Sequence, residues 1–211
     1  MTISYFLRGA PYDYNVAGLN LYQSFDALAK GYADPPILEE KESYRSKLEK
    51  KVGFQRHALI CAPDKRSFQT AQLICPMPKK REALSEIRYS MYNFISETEF
   101  FGTVTKPDVK KARERFVDAL VADRLDEPYD KIMARVKRTL AEAKGEGHES
   151  VIAISHGFFM KVLECYVRDN LIDVHPERLR IQFEGKSIAY DFLCGFRITF
   201  DQEIPRFAGY M

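Results

Sequence analysis

The sequence predicts an α/β protein, a three-layer α/β/α sandwich around a mostly parallel central sheet. Three short apolar runs are typical of buried parallel strands: residues 3–7, 58–61 and 151–154. Polar or glycine-containing residues follow each run, and stretches with helical periodicity come after the second and third. Strands that alternate with helices in this way favour a parallel sheet with helices on both faces.

The periodicity also predicts the individual helices. Residues 66–74 follow the second strand as one helix, and residues 112–121 and 130–143 form two more. The last of these is expected to end at the glycine-flanked residues 145–147. After the third strand, four apolar residues recur at i, i+3, i+4 and i+7 and mark one helical face: Phe159, Val162, Leu163 and Tyr166.

The C-terminal part alternates as strands do, over residues 188–193 and 196–200. Cys194-Gly195 between them predicts a tight hairpin turn. The edge of such a hairpin could pair with a second copy of the chain, so a homodimer is among the expected assemblies.

Composition narrows the class of protein. The 211 residues suit a single domain over 1–211, and 32 basic against 30 acidic residues give no argument for nucleic-acid binding. Four cysteines lie far apart without a CxxC pair, as expected for free thiols in a reducing compartment. No apolar run has membrane-spanning length, so we expect a cytoplasmic protein without a membrane partner. No ligand cluster indicates a metal site.

Sheets of this kind bind ligands at the carboxyl ends of their strands. That rule directs attention to three loops, at residues 8–15, 62–66 and 155–157. The less regular stretch 77–107 could contribute a cap over them. Its aromatic residues are interpreted as packing rather than as a ligand-binding box.

Five segments carry a family resemblance. They are Arg8-Gly9 with Asn15 after the first strand, Arg66 in the segment 62–71, Glu86 in Leu84-Ser85-Glu86, Glu127 followed by Arg135-Val136, and Ser155-His156-Gly157. In order and spacing they resemble the motifs of the histidine phosphatase (phosphoglycerate mutase-like) superfamily over roughly residues 3–170. Each motif alone is weak evidence, but five motifs in the right order are strong evidence for the fold.

The resemblance implies a role for each matching residue. Arg8, Arg66 and His156 would grip a phosphoryl group, and Asn15 would add a neutral donor. Glu86, with His156, would supply the acid/base chemistry. The family's nucleophilic histidine falls on Gly9, which has no side chain. The superfamily's chemistry uses no metal or organic cofactor, so none is expected.

Structural interpretations stay open for the same residues. Arg8 could form a structural ion pair, and Arg66 could be a helix N-terminal arginine paired with Asp64. His156 could be a satisfied core histidine, and Glu86 an ordinary surface glutamate.

No other residue clearly replaces the nucleophile. His57, His148 and His175 do not have the position of the lost histidine. A carboxylate at Asp13 would compete with phosphate for the arginines. Tyr12 and Tyr14 lie in the same loop as Arg8 and could reach the pocket.

Three functional hypotheses follow. The first is a protein with little or no conventional phosphatase activity that binds a phosphorylated small molecule or a phosphoprotein. The second is an enzyme with residual or altered acid/base chemistry through Glu86 and His156. The third is a non-catalytic interaction scaffold that uses the aromatic segment 89–101 as its contact surface.

Overall fold

Three parallel strands form the centre of the sheet, as the sequence predicts. The computed structural model describes residues 2–53, 57–102, 109–144, 148–169, 179–180, 190–201 and 204–211. Its strands are Thr2–Arg8 (β1), Ala58–Cys61 (β2), Lys79–Lys80 (β3), Ser150–Ser155 (β4), Gly195–Asp201 (β5) and Ile204–Tyr210 (β6). They form one sheet in the order β3-β2-β4-β1-β5-β6, parallel from β3 to β1 and antiparallel at β5 and β6.

Helices connect and cover these strands. In chain order they are Leu21–Ala29 (α1), Lys41–Val52 (α2), Lys65–Gln72 (α3), Glu97–Phe101 (α4), Val109–Val121 (α5), Tyr129–Ala143 (α6) and Gly157–Arg168 (α7), with 3₁₀ turns at Glu82–Leu84 and Met91–Asn93. The helices predicted at 66–74, 112–121 and 130–143 are confirmed as α3, α5 and α6, with ends shifted by up to three residues. The predicted stop at 145–147 lies outside the described residues.

The sheet buries apolar side chains on both faces, which makes the three layers. Phe6 and Leu7 are neighbours in β1 and point to opposite faces, and both are fully buried. Phe6 packs in the cluster that contains α5, α6 and α7, whereas Leu7 packs in the cluster that contains α2 and α3. All six residues of β4 are buried, as expected for a central strand covered on both sides.

The hairpin predicted around Cys194-Gly195 is wrong. Residues 190–193 are not a strand, residues 188–189 lie outside the described part, and the hairpin joins β5 to β6 instead. Gly195 is the first residue of β5, and a Cβ there would lie 1.7 Å from the carbonyl oxygen of Phe6, so only glycine fits. The glycine therefore marks a close backbone approach rather than a turn. The edge that could pair two copies is thus β6, and the homodimer stays a prediction.

Two of the four cysteines are buried in the core. All four are free, with Cys61 and Cys165 buried. Burial raises the pKa of both of these thiols to about 12, so they are neutral near pH 7. Among the described residues, no helix combines the length and the apolar character that crossing a bilayer requires.

Candidate functional site

The three loops singled out in the sequence meet at the carboxyl end of the parallel strands. Arg8, the last residue of β1, lies beside Ser155, the last residue of β4, and the Gly9 N–H donates to the Ser155 carbonyl across 3.2 Å. A cavity of about 40 Å³ lies between these loops. Its walls include four of the predicted site residues, the backbone at Gly9 and two aromatic rings: Arg8, Arg66, Glu86, His156, Gly9, Tyr12 and Phe192.

Arg8 is held by neutral groups. Its Nη1 donates to the carbonyl oxygen of Tyr190 at 2.5 Å, and its Nη2 donates to the Tyr14 hydroxyl at 3.3 Å. The guanidinium also lies 4.2 Å from the ring centroid of Phe192. Within the described part of the chain it has no carboxylate partner, so its positive charge is not neutralised by a structural ion pair.

Arg66 combines both interpretations offered by the sequence. It is the second residue of α3, and its Nε lies 3.4 Å from Oδ1 of Asp64, which is the helix N-cap. Its Nη2 lies 3.0 Å from Nδ1 of His156, and its guanidinium lies 4.2 Å from the ring centroid of Tyr12. The local ion pair therefore aims the guanidinium at the cavity instead of withdrawing it.

His156 is the N-cap residue of α7 and is buried. Its Nε2 lies 2.8 Å from Oδ2 of Asp64 and 3.4 Å from Oγ of Ser67. Because a guanidinium can only donate, Nδ1 must accept from Arg66. The proton of the neutral ring then resides on Nε2 and is donated to Asp64.

The hydrogen bond between Asp64 and His156 could not be predicted from the sequence. Burial acts to raise the pKa of Asp64, but the contact with His156, the charge of Arg66 and the N–H of Ser67 outweigh burial and hold the pKa well below its usual range. The position before Lys65 does predict a helix cap. The contact with His156, however, spans 92 residues and has no local sequence signal.

Glu86 faces the N-terminus of α7. Its Oε1 accepts from the N–H groups of Ile87 at 3.0 Å and Phe159 at 2.9 Å, and its Oε2 accepts from Phe158 at 3.4 Å. A carboxylate is well matched to the unpaired N–H groups and positive dipole of a helix start. The side chain is half-buried and lines the cavity, so it is not an ordinary surface glutamate.

A second ion pair fixes the segment that carries Glu86. Arg135 of α6 forms two hydrogen bonds with the carboxylate of Glu127, at 2.6 and 2.8 Å. The same guanidinium donates to the carbonyls of Ala83, Ser85 and Glu86, at 3.2, 2.7 and 3.4 Å. The motif residues Glu127 and Arg135 therefore contact the site only through the backbone.

Of two other residues in the loop after β1, Tyr12 lines the small cavity and Asn15 does not. Tyr12 reaches the cavity, and burial raises the pKa of its hydroxyl to about 12 although Arg66 and Arg8 lower it, so the phenol is neutral at pH 7. Asn15 does not line the small cavity. It is exposed, and its amide donates to Oδ1 of Asp13 at 3.0 Å.

A larger cavity of about 670 Å³ continues from the small one. Five residues line both: Arg8, Tyr12, Arg66, Glu86 and Gly157. Asn15 and Asp13 line the larger cavity, together with residues of α1 and α5 and of the segment 86–100. Within the described chain, no group of three or more His, Cys, Asp or Glu side chains could hold a metal ion.

Fold and cavity together define an α/β sandwich with a cationic pocket at the carboxyl ends of its parallel strands. The chain belongs to the histidine phosphatase superfamily (branch 1), whose family model matches residues 26–183. The match contains Arg66, Glu86 and His156, whereas the loop with Arg8 and Gly9 precedes it. A comparison with curated proteins found no match.

Solved structures of similar fold include phosphatases and a mutase. A phosphoglycerate mutase from Bacillus anthracis is 14% identical with a TM-score of 0.63, over 99% of this chain and 92% of that one. A mycobacterial glucosyl-3-phosphoglycerate phosphatase is 13% identical with a TM-score of 0.66, over 99% and 96%. A histidine-to-alanine mutant of Entamoeba histolytica phosphoserine phosphatase, in complex with phosphoserine, is 14% identical with a TM-score of 0.61, over 100% and 96%. At these identities the likeness shows the fold alone.

Proposed function

We propose that this chain binds the phosphoryl group of a phosphorylated ligand at Arg8 and Arg66, with His156 holding the Arg66 guanidinium in place, and that Gly9 replaces the superfamily's nucleophilic histidine. Conventional phosphatase turnover is then low or lacking. The observation that carries the proposal is the small cavity, which brings both guanidinium groups to the backbone of Gly9. Two arginines at one cavity are the residue types best suited to a phosphoryl dianion.

The geometry at Gly9 supports the substitution. A Cβ on Gly9 would meet Thr70 Oγ1 at 3.5 Å and Ser67 Oγ at 3.9 Å, which are ordinary contacts, so a side chain would fit at this position. The glycine is therefore not required by backbone crowding. A parallel is the histidine-to-alanine mutant of phosphoserine phosphatase noted above, which is in complex with phosphoserine although one histidine has been replaced.

Binding is tested first with inorganic phosphate by calorimetry at pH 7.5. We expect millimolar or tighter affinity in the wild-type protein and its loss in Arg8→Ala. Arg45→Ala is the matched control, because Arg45 is exposed on α2 and pairs only locally with Glu49. Equal affinity in Arg8→Ala and wild type would overturn the proposal.

Catalysis is tested by restoring the side chain. Gly9→His is expected to raise p-nitrophenyl phosphate hydrolysis by about tenfold or more over Gly9→Ala, since a nucleophile opens the covalent route. Gly9→Ala controls for the added Cβ. Equal turnover in the two variants would mean that this position does not present a nucleophile to the phosphoryl group.

A second candidate function rests on Glu86. Its carboxylate lines the same cavity as the arginines, and a carboxylate with three N–H donors still has acceptor capacity for a water molecule. Residual or altered acid/base chemistry through Glu86 and His156 would then give turnover in wild type that disappears in Glu86→Gln. If no turnover exceeds that variant's background, the binding function alone remains. A pocket that also fails to bind phosphate would favour the scaffold function.

A further inference from the structure

The larger cavity has one polar end and an apolar body. The two arginines and Glu86 lie where it joins the small cavity. Away from that junction its walls are aliphatic and aromatic, with Leu21, Phe25 and Leu28 from α1, Met91 and Phe94 from the segment 86–100, and Phe116 from α5. Its volume of about 670 Å³ lies within the range of about 300–1,000 Å³ that is usual for small-molecule sites.

The apolar walls disfavour a polar alcohol. A sugar or glycerate body would have to give up hydrogen bonds to water, and its hydroxyl groups would need partners in the wall. The polar side chains other than tyrosine that line this cavity away from the junction are Asp13 and Asn15, and the amide of Asn15 already donates to Asp13. An apolar body gives up no hydrogen bonds on entering such walls and gains free energy from leaving water.

The cations fix the orientation of the ligand. Arg8 has no carboxylate partner among the described residues, and its guanidinium lies at the junction of the two cavities. Arg66 lines the junction as well, with Tyr12 stacked against it. An anionic group at the junction therefore directs whatever is esterified to it into the apolar cavity.

We infer that the ligand of this site is a phosphomonoester of a large, apolar alcohol, with its phosphoryl group at the two arginines and its alkyl or aromatic body in the 670 Å³ cavity. The inference rests on the proposed phosphate-binding function and adds the class of ligand. Each methylene buried in the cavity should tighten binding by about fourfold, which corresponds to about 0.8 kcal/mol.

The experiment is a calorimetric series with inorganic phosphate, butyl phosphate, hexyl phosphate, octyl phosphate and 1-octanol. We expect affinity to rise with chain length among the phosphates, and octyl phosphate to bind at least about 100-fold tighter than 1-octanol. Ala29→Phe places a ring in the cavity, because Ala29 lines it at the end of α1. Ala27→Phe is the matched control, since Ala27 is half-buried on the same helix and is not part of the cavity lining.

The two proposals fail in different ways. In Ala29→Phe, octyl phosphate should bind about tenfold or more weakly while inorganic phosphate is unaffected, which also shows that the variant is folded. If all the phosphates bind with equal affinity, and this binding is lost in Arg8→Ala, the inference of an apolar ligand is wrong while the proposed phosphate site stands. Binding of 1-octanol as tight as that of octyl phosphate would overturn the phosphate site and the ligand class with it.

Discussion

Arg66 donates a hydrogen bond to Nδ1 of His156 across 3.0 Å, and this contact decides which nitrogen of the ring carries the proton. The guanidinium has five donors and no acceptor, so Nδ1 must provide a lone pair. The opposite nitrogen, Nε2, lies 2.8 Å from a carboxylate oxygen of Asp64 and donates to it. The two charged neighbours therefore hold the imidazole as a bridge between them.

The first prediction concerns this tautomer. In protein labelled with ¹⁵N at histidine, the neutral ring of His156 should show a protonated Nε2 and an unprotonated Nδ1 by two-dimensional NMR. In Arg66→Ala the donor to Nδ1 is lost, so the Nδ1 resonance should shift, while Nε2 should stay protonated because Asp64 still accepts from it. A wild-type ring protonated on Nδ1 would contradict the arrangement described here.

The second prediction concerns Asp64 and acid stability. Its folded-state pKa lies below the unfolded value of about 3.9, so its contribution to the free energy of unfolding is complete above that pH and is lost as the pH falls toward the folded-state pKa. Asp64→Asn keeps a good helix cap. The variant should therefore lose less stability than wild type between about pH 5 and pH 2 in urea titrations.

Asp201→Asn is the control for that comparison, because Asp201 is an exposed carboxylate at the end of β5. Its stability should follow wild type over the same pH range. Parallel curves for Asp64→Asn and wild type would mean that Asp64 gains nothing from His156 and Arg66.

The third prediction concerns a buried charge pair behind Arg8. Glu164 and Lys161 have side chains 1% and 4% exposed, and they form a salt bridge of 2.7 Å. Glu164 also accepts from the hydroxyl of Tyr190, whose carbonyl oxygen holds Arg8. Glu164→Gln leaves the Lys161 ammonium buried without a charge partner and should lower the free energy of unfolding by roughly 3–5 kcal/mol.

The double variant Glu164→Gln/Lys161→Met separates charge from packing. Removing both charges should recover most of the loss measured in the single variant, since a buried pair contributes little net stability. The measurement is urea unfolding of both proteins under the same conditions. A double variant no more stable than Glu164→Gln would mean that the loss comes from the other contacts of Glu164, with Arg168, Tyr190 and Tyr210.

The sequence predicted which loops meet, because the carboxyl ends of parallel strands share one edge of a sheet. Arg8 ends β1, His156 directly follows β4 and Arg66 lies five residues after β2, so their convergence needed only the strand order. Asp64 could be predicted as a cap but not as a partner of His156, because that contact depends on side-chain positions in the folded chain. The sequence indicates a cap at residues 77–107, with its aromatic residues interpreted as packing, whereas Met91, Phe94 and Phe100 line the apolar cavity.

The C-terminal hairpin shows a second limit. Pro205 and Gly209 in β6 are strand-breaking signals, so no strand was predicted there. Pro205 is tolerated because β6 is an edge strand. Gly209, with a φ of +123°, lies opposite Arg197 at the register shift between Arg197 and Ile198. Helix α2 was not predicted either. Its three buried residues, Tyr44, Leu48 and Val52, are separated by mostly charged residues, which weakens the apolar pattern.

The fourth prediction concerns His57, at the opposite end of the sheet from the candidate site. Burial lowers the pKa of His57, although backbone carbonyls of Val52 and Gly53 act to raise it. The folded protein thus binds the neutral ring better than the charged one, and this stability is complete above the unfolded pKa of about 6.5 and lost as the pH falls below it. From pH 7.5 to 5.5, wild type should therefore lose more stability in urea titrations than His57→Gln. His148 is exposed, so the stability of His148→Gln should follow that of wild type over the same pH range. A His57→Gln curve parallel to wild type would show that burial of His57 does not contribute to the loss of stability at low pH.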